Sequence, residues 1–222
     1  MGGMDISALI QGIAIAALPI ILAITLHEAA HGYAARYFGD PTAWMEGRIT
    51  ANPLKHIDPV GTLVVPIAIL LFSGGGILFG WAKPVPVNFG NLRNPKRDML
   101  WVAAAGPAAN LAMTLAWAAV LKAAWLLPLN YFSLPMARMA ETGIGINIAL
   151  MVLNLFPLPP LDGGRIAVSL LPHRLAWKFA QLERFGFPIL LLLLFTGILG
   201  KVLLPIMAVV TVLIEMLFQL PG

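Results

Sequence analysis

The chain has 222 residues, of which 59% are hydrophobic and only 11% are charged, and its formal net charge is +4. Soluble domains are about half apolar and about one quarter charged, so this composition excludes an ordinary cytosolic protein and a disordered chain. The absence of cysteine excludes disulfides and thiolate metal ligands. In so apolar a chain the positive charge indicates basic loops that orient a membrane protein, and no nucleic-acid partner is expected.

Long apolar runs follow one another along the chain. In order, they cover residues 6–38, 60–81, 99–127, 144–156, 185–199 and 202–220. A helix needs about 20 apolar residues to cross a bilayer, so the runs predict an all-α polytopic membrane protein with about five to six transmembrane helices. A single membrane-embedded domain is expected over residues 1–222, with a core at about 6–170 and a C-terminal helical hairpin at about 185–220.

The first run carries ionisable residues that an ordinary span would exclude. His27-Glu28-Ala29-Ala30-His31 is an H-E-x-x-H pattern. On a helix the two histidines share one face, so both imidazoles can reach one zinc ion, and Glu28 can accept a proton from an attacking water. A lone histidine in an apolar helix is usually a packed, hydrogen-bonded residue. Three ionisable residues so close together in a span favour a metal site instead.

One metal ligand is still missing, because catalytic zinc normally takes three protein ligands and a water. With cysteine absent, the third ligand must be a histidine or a carboxylate. The candidates, besides a few surface acids, are His56, Asp58, Asp98, Glu141, Asp162 and His173. Asp162 is favoured because it follows an apolar run and a proline-broken stretch, and because Gly163-Gly164 permit tight backbone turns near a ligand.

Two distant stretches together resemble one known family. HEAAH in a first span, followed in a later one by residues 154–164 (NLFPLPPLDGG), is similar to the site-2 protease family (peptidase M50) of intramembrane zinc metalloproteases. Residues 105–110 (AGPAAN) resemble a packing motif in that family's intervening span. The similarity covers about residues 20–170. The chain resembles a minimal branch of the family, without a PDZ insert or a C-terminal CBS domain.

The resemblance implies both the site residues and the chemistry. His27, His31 and Asp162 would bind one zinc ion per chain, and Glu28 would be the catalytic base. Asn154 would be a second catalytic residue that helps to hold the substrate or the oxyanion. The implied enzyme is a metalloendopeptidase of the HExxH type, whose partners are membrane-spanning protein or peptide substrates and the lipid bilayer.

The metal site also constrains the topology. HEAAH and Asp162 must reach the same face of the membrane, so an odd number of crossings separates their spans, yet two apolar runs lie between them. The run 60–81 is the better candidate for a re-entrant segment, because Ser73 and the glycines at 74–76 break its middle. The basic residues then gather on the side of the metal site, and only Lys122, Arg138 and Lys201 fall near the other face. The positive-inside rule places the site toward the cytoplasm of a prokaryotic cell membrane.

Weaker signals surround the motif. Asn147 lies seven residues before Asn154, on a similar helix face, and an interhelical hydrogen bond is the favoured interpretation. His56 either lines the site or, as we expect, is a solvated loop residue. Residues 45–50 either supply a strand edge that pairs with an extended substrate or form an ordinary surface turn.

Two other functions remain open. A zinc transporter or zinc-sensing membrane protein would bind the metal with the same ligands without hydrolysis. Such a protein needs no glutamate at the second position of HExxH, and a transporter usually has a chain of ligands across the bilayer. A pseudoprotease scaffold is the third alternative, and the intact HEAAH and Asp162 argue against it.

Overall fold

The computed structural model of the chain describes residues 6–72, 80–128 and 130–220, and within these ranges the regular structure is helical, without strands. The α-helices are α1 (Ile6–Tyr37), α2 (Thr42–Met45), α3 (Val65–Phe72), α4 (Pro95–Leu126), α5 (Ser133–Asn154), α6 (Asp162–Leu170), α7 (His173–Ala180), α8 (Glu183–Phe195) and α9 (Ile198–Phe218). Shorter 3₁₀ turns cover Pro53–His56 and Phe89–Asn91, and a π-helical turn at Pro59–Val64 leads into α3.

Four of the described helices are long and apolar enough to cross a membrane. They are α1 over Ile10–Tyr37, α4, α5 and α9. With 32 residues each, α1 and α4 are about 48 Å long at 1.5 Å per residue, which exceeds a hydrocarbon core of about 30 Å. The prediction of an all-α membrane protein is confirmed.

Two predicted spans have different bounds in the structure. The run predicted at 144–156 belongs to a longer helix, because α5 already begins at Ser133 and continues through the polar residues Glu141 and Thr142. The run predicted at 185–199 forms α8, a helix of only 13 residues. A helix of that length is about 20 Å long, too short for a straight crossing. The number of spans, five to six, stays a prediction.

The helix α4 is the centre of the bundle, since it packs against α1, α5, α6 and α9. Its contacts with α5 use small residues, such as the buried Ala118 and Ala140, which let the two backbones approach closely. The core continues through Ile148 of α5 to Leu190 of α8 and Leu203 of α9. Helices α8 and α9 therefore pack on the same core as α4 and α5.

The two described ends of the segment 60–81 are hydrogen-bonded to each other. The main-chain N–H of Trp81 donates to the Gly61 carbonyl at 3.0 Å, and the Thr62 hydroxyl donates to the Trp81 carbonyl at 3.0 Å. These two ends therefore lie side by side. The re-entrant course of the segment stays a prediction. The predicted break at Ser73 and residues 74–76 lies outside the described residues.

Of the two alternatives for residues 45–50, the structure shows a turn and no strand. Met45 ends the short helix α2, and the chain then turns at Glu46 and Gly47 toward the buried Arg48. Residues 80–88 lie outside the helices and have no regular secondary structure.

Asp40 joins the end of α1 to this part of the chain. Its carboxylate is fully buried and accepts hydrogen bonds from the Thr42 hydroxyl at 2.5 Å, the Asn88 N–H at 2.7 Å and the Asn91 side chain at 3.0 Å. Burial alone would raise the pKa of Asp40, but these hydrogen bonds outweigh it and hold the pKa below its usual value. The ionised form of Asp40 therefore stabilises the fold.

We expect Asp40→Asn to lower the free energy of unfolding by about 1–3 kcal/mol at neutral pH, because buried donors lose a charged acceptor. A lowered folded-state pKa contributes stability above the usual pKa, and this contribution disappears as the pH falls through the folded-state value. The difference between wild type and Asp40→Asn should thus narrow as the pH falls below the usual pKa of an aspartate toward the lowered folded-state value. Unfolding in detergent measures it, and Glu46→Gln, an exposed acid nearby, is the control. A stability difference between wild type and Asp40→Asn that widens as the pH falls would contradict the lowered pKa of Asp40.

Candidate metal centre

His27 and His31 lie one turn apart on the buried face of α1. Their exposed fractions are 6% and 9%, and their ring centroids are 4.7 Å apart. The two Nε2 atoms face each other at 3.1 Å. The helical spacing of the HEAAH motif therefore brings both imidazoles to one point, as the sequence predicted.

Hydrogen bonds from α4 orient both rings. Nδ1 of His27 lies 2.6 Å from Oδ1 of Asn110, and Nδ1 of His31 lies 2.8 Å from the Val102 carbonyl oxygen. Both partners are acceptors, so these hydrogen bonds assign a proton to each Nδ1 and leave the Nε2 lone pairs directed at each other. Metal-binding histidines usually have such an oxygen partner on the ring nitrogen that does not bind the metal.

The close approach of α4 to these rings requires Gly106. A Cβ atom at this position would fall on the ring atoms of both His27 and His31. Any side chain there would displace the imidazoles or push α4 away from α1. Gly106, like Asn110, belongs to the AGPAAN stretch, which the sequence resemblance had identified only as a packing motif.

Asp162 is the third group at this point. It is the first residue of α6 and is 6% exposed, and its Oδ2 atom lies 3.3 Å from Nε2 of both His27 and His31. The chain leaves α5 at Asn154 and turns back tightly, because Gly163 and Gly164 pack directly on the backbone of residues 155–159. The predicted contribution of the two glycines to a tight turn next to a ligand thus has a structural basis.

The three atoms fit a tetrahedral zinc site. Ligand atoms about 2.0 Å from a zinc ion at tetrahedral angles lie roughly 3.3 Å apart, and the separations here are 3.1, 3.3 and 3.3 Å. The buried Oδ2 of Asp162 has no hydrogen-bond donor. Two nitrogen lone pairs and a carboxylate oxygen that converge at these distances favour a bound cation. Among the described residues, these three form the one such cluster of histidine and carboxylate groups.

The side chain of Glu28 is bound by a main-chain group that lies outside the helices. Its half-buried carboxylate accepts a hydrogen bond through Oε2 from the main-chain N–H of Val85, at 2.8 Å. Arg48 binds the same segment, because its Nη2 atom donates to the carbonyls of Lys83 at 3.0 Å and Pro84 at 3.2 Å. Residues 80–88 therefore position the predicted base, Glu28, which follows His27 in the sequence.

The structure decides several of the weaker predictions. The interhelical hydrogen bond predicted for Asn147 is confirmed, since its Oδ1 accepts from Nδ2 of Asn110 at 2.8 Å. The solvated-loop interpretation of His56 is wrong, because this ring is 2% exposed and lies 2.9 Å from the Thr50 carbonyl. Asn154 turns its amide toward the Leu150 carbonyl of its own helix, at 3.0 Å. Its catalytic role stays a prediction.

The remaining candidates for the third ligand have other contacts. Asp98 accepts from the N–H of Asn94 at the start of α4, and Asp58 accepts from the N–H groups of Val60 and Gly61. Glu141 and His173 are exposed on α5 and α7. Proximity to His27 and His31 therefore distinguishes Asp162 from the other candidates.

Several known proteins are similar to this chain. The "Putative zinc metalloprotease YwhC" of Bacillus subtilis (strain 168) is 38% identical over 193 residues, which cover 86% of this chain and 84% of that protein. The "Putative zinc metalloprotease Rip2" of Mycolicibacterium smegmatis is 30% identical over 186 residues, 82% of this chain and 66% of that protein. For Rip2 of Mycobacterium tuberculosis (strain H37Rv) the identity is 30% over 157 residues, 69% of this chain and 54% of that protein. No protein-family model and no solved structure matches the chain.

Losing the hydrogen-bond partner of a metal ligand typically lowers metal affinity about 10–100-fold. We expect Asp162→Asn to lower zinc affinity by more than about 100-fold, because this substitution removes the ligand itself. Metal content after purification in detergent and competition with a chelator measure the change. Asp98→Asn is the matched control, since Asp98 is a similarly buried carboxylate, 4% exposed, and lies outside the cluster. Full zinc occupancy in Asp162→Asn would refute its role as a ligand.

Proposed function

The chain belongs to the zinc metalloprotease family of YwhC and Rip2, and from this premise we propose that it is an intramembrane endopeptidase of the HExxH type. Its substrates are membrane-spanning proteins or peptides, and it uses one zinc ion per chain. Within the family we place it in a minimal branch of the site-2 proteases (peptidase M50). The convergence of His27, His31 and Asp162 in the interior of a bundle of four long apolar helices carries the proposal.

The buried position of the cluster supports hydrolysis inside the membrane. His27 and His31 lie within a helix of membrane-spanning length, about ten and six residues before it ends at Tyr37. Charged or ionisable groups inside a span are costly, and they persist where they bind a metal or perform chemistry. Metal binding by His27 and His31 does not require a glutamate between them. The presence of Glu28 therefore favours hydrolysis over metal transport.

The proposed mechanism uses the residues that the structure brings together. Zinc, when bound, supplies a Lewis acid that polarises the scissile carbonyl and lowers the pKa of water. Glu28 takes the proton of the attacking water and passes it to the leaving amine nitrogen as the C–N bond breaks. The N–H of Val85 binds Oε2 of Glu28, which leaves Oε1 to accept this proton. The base is thus fixed in orientation before the substrate arrives.

Asn154 has a second role in the proposed mechanism. Its amide would donate a hydrogen bond to the negative oxygen that develops on the scissile carbonyl. In the structure the same amide donates to the Leu150 carbonyl, so the side chain must change rotamer to reach the substrate. Since the hydrogen bond to Leu150 is local and lies at the end of α5, this exchange needs no movement of the helix.

The geometry also supports an orientation in the membrane. If the segment 59–81 does not cross the membrane, α4 is the one crossing between α1 and α5, and these two helices run parallel. The hydrogen bonds between the ends of that segment support this topology. The basic residues then gather at the face of the metal centre, which we place toward the cytoplasm of a prokaryotic cell.

A Glu28→Gln substitution separates a protease from a zinc transporter or sensor. The variant should keep its zinc, because Glu28 is outside the ligand cluster, and should cleave a membrane-spanning fluorogenic peptide about 10²–10⁴-fold more slowly. Peptide cleavage and zinc flux are both measured in reconstituted vesicles. Glu141→Gln, an exposed carboxylate on α5, is the control that should remain active. Zinc flux in both forms without peptide cleavage by either would contradict the protease and support a transporter.

Single cysteines introduced into this cysteine-free chain test the orientation. Arg97→Cys and Arg174→Cys should react with an impermeant thiol reagent only from the cytoplasmic side, because both lie at the face of the metal centre. Arg138→Cys, near the start of α5, should react only from the opposite side. All three side chains are exposed in the structure, so burial does not limit the reaction. Labelling of positions 97 and 174 from different sides would overturn the topology.

A further inference from the structure

A continuous line of buried hydrogen bonds connects the metal centre to α5. Asn110 of α4 accepts from Nδ1 of His27 at 2.6 Å and donates through Nδ2 to Oδ1 of Asn147 at 2.8 Å. Asn147 donates in turn to the Gly143 carbonyl at 2.8 Å. Both asparagines are fully buried, with exposed fractions of 0%. Three helices thus contribute to one line of hydrogen bonds that ends on a metal ligand.

The direction of these hydrogen bonds is fixed by the backbone. Nδ2 of Asn110 also lies 3.3 Å from the Ala23 carbonyl, and Nδ2 of Asn147 faces the Gly143 carbonyl. A main-chain carbonyl can only accept, so both amides must place their nitrogen toward these oxygens. Oδ1 of Asn110 is then directed at His27, where it can only accept. The line therefore keeps the proton on Nδ1 of His27 and the lone pair on Nε2.

The two histidines differ in what orients them. His31 donates to the Val102 carbonyl, a backbone atom that no side-chain substitution removes. His27 depends on a side chain, and that side chain is oriented by a second side chain on another helix. The orientation of His27 is thus the part of the metal centre that is open to adjustment by distant residues.

We propose that Asn110 and Asn147 are positioning residues of the metal centre, which set its metal affinity through the tautomer and orientation of His27. The proposal rests on the zinc site of the proposed function and extends it to two residues that touch neither metal nor substrate. Helix packing alone does not account for them, since apolar side chains could fill the same contact between α4 and α5 without buried amides that must all be satisfied.

Alanine and aspartate substitutions test the proposal through metal binding. Asn110→Ala should weaken zinc binding about 10–100-fold, the usual cost of losing the hydrogen-bond partner of a metal-binding histidine. Asn147→Ala should weaken it by a smaller factor, about three- to tenfold, because it acts through Asn110. Asn110→Asp should recover part of the affinity, because an oxygen acceptor still faces Nδ1 of His27 while the donor to the Ala23 carbonyl and to Asn147 is lost.

The measurements are zinc affinity by competition with a chelator in detergent and the visible absorption spectrum of the Co²⁺-substituted protein. The spectrum reports ligand geometry, so it should change in Asn110→Ala and Asn147→Ala. Thr114→Val is the matched control. Thr114 is equally buried, one turn further along α4, and its hydroxyl donates to the Asn110 carbonyl without contact to His27. Its zinc affinity and Co²⁺ spectrum should equal those of wild type.

Wild-type zinc affinity and an unchanged Co²⁺ spectrum in Asn110→Ala would overturn the proposal. So would an equal loss in Thr114→Val, which would show a general effect of core packing. If Asn110→Ala does not fold, Asn147→Ala and Asn110→Asp decide the question by the same criteria. Neither readout needs a substrate. Weakened zinc binding together with a wild type that cleaves no peptide would therefore support the positioning role and reject the protease.

Discussion

Two imidazole nitrogens and one carboxylate oxygen point at a common centre inside the helix bundle, and a cation there would balance their lone pairs and charge. The separations of 3.1–3.3 Å match the edges of a tetrahedral zinc site. The buried Oδ2 of Asp162 has no hydrogen-bond donor, which leaves it available to a metal ion. The candidate site thus depends on α1 and α6 being held at this separation.

The helix α4 supplies no metal ligand, yet it determines where the ligands lie. It packs against both α1 and α6, admits the histidine rings at Gly106, and orients them through Asn110 and the Val102 carbonyl. A span rich in alanine suits this role, since close contact between backbones and a few satisfied polar groups replace the hydrophobic driving force that is absent between helices in lipid. The catalytic geometry is thus built from the contacts of a helix without catalytic side chains.

Residues 80–88 also contribute to the surroundings of the proposed base. Their backbone is bound by Glu28 at Val85, by Arg48 at Lys83 and Pro84, and by Asp40 at Asn88. All three side chains lie on α1 or in the residues that follow it. Helix α1, the residues after it and residues 80–88 therefore form one unit around the proposed base.

The sequence by itself determined the helical class, the pairing of His27 with His31 and the choice of Asp162, because helical spacing is local and the motifs are specific. It also indicated that Asn147 bonds to another helix. It gave no sign that Asn110 is the partner of His27, that Gly106 makes room for both rings, or that His56 is buried. Those facts depend on contacts between residues far apart in the chain, such as the 83 positions between His27 and Asn110. Only the packing of α4 against α1 decides them, since no local pattern encodes which side chain will face a given ring.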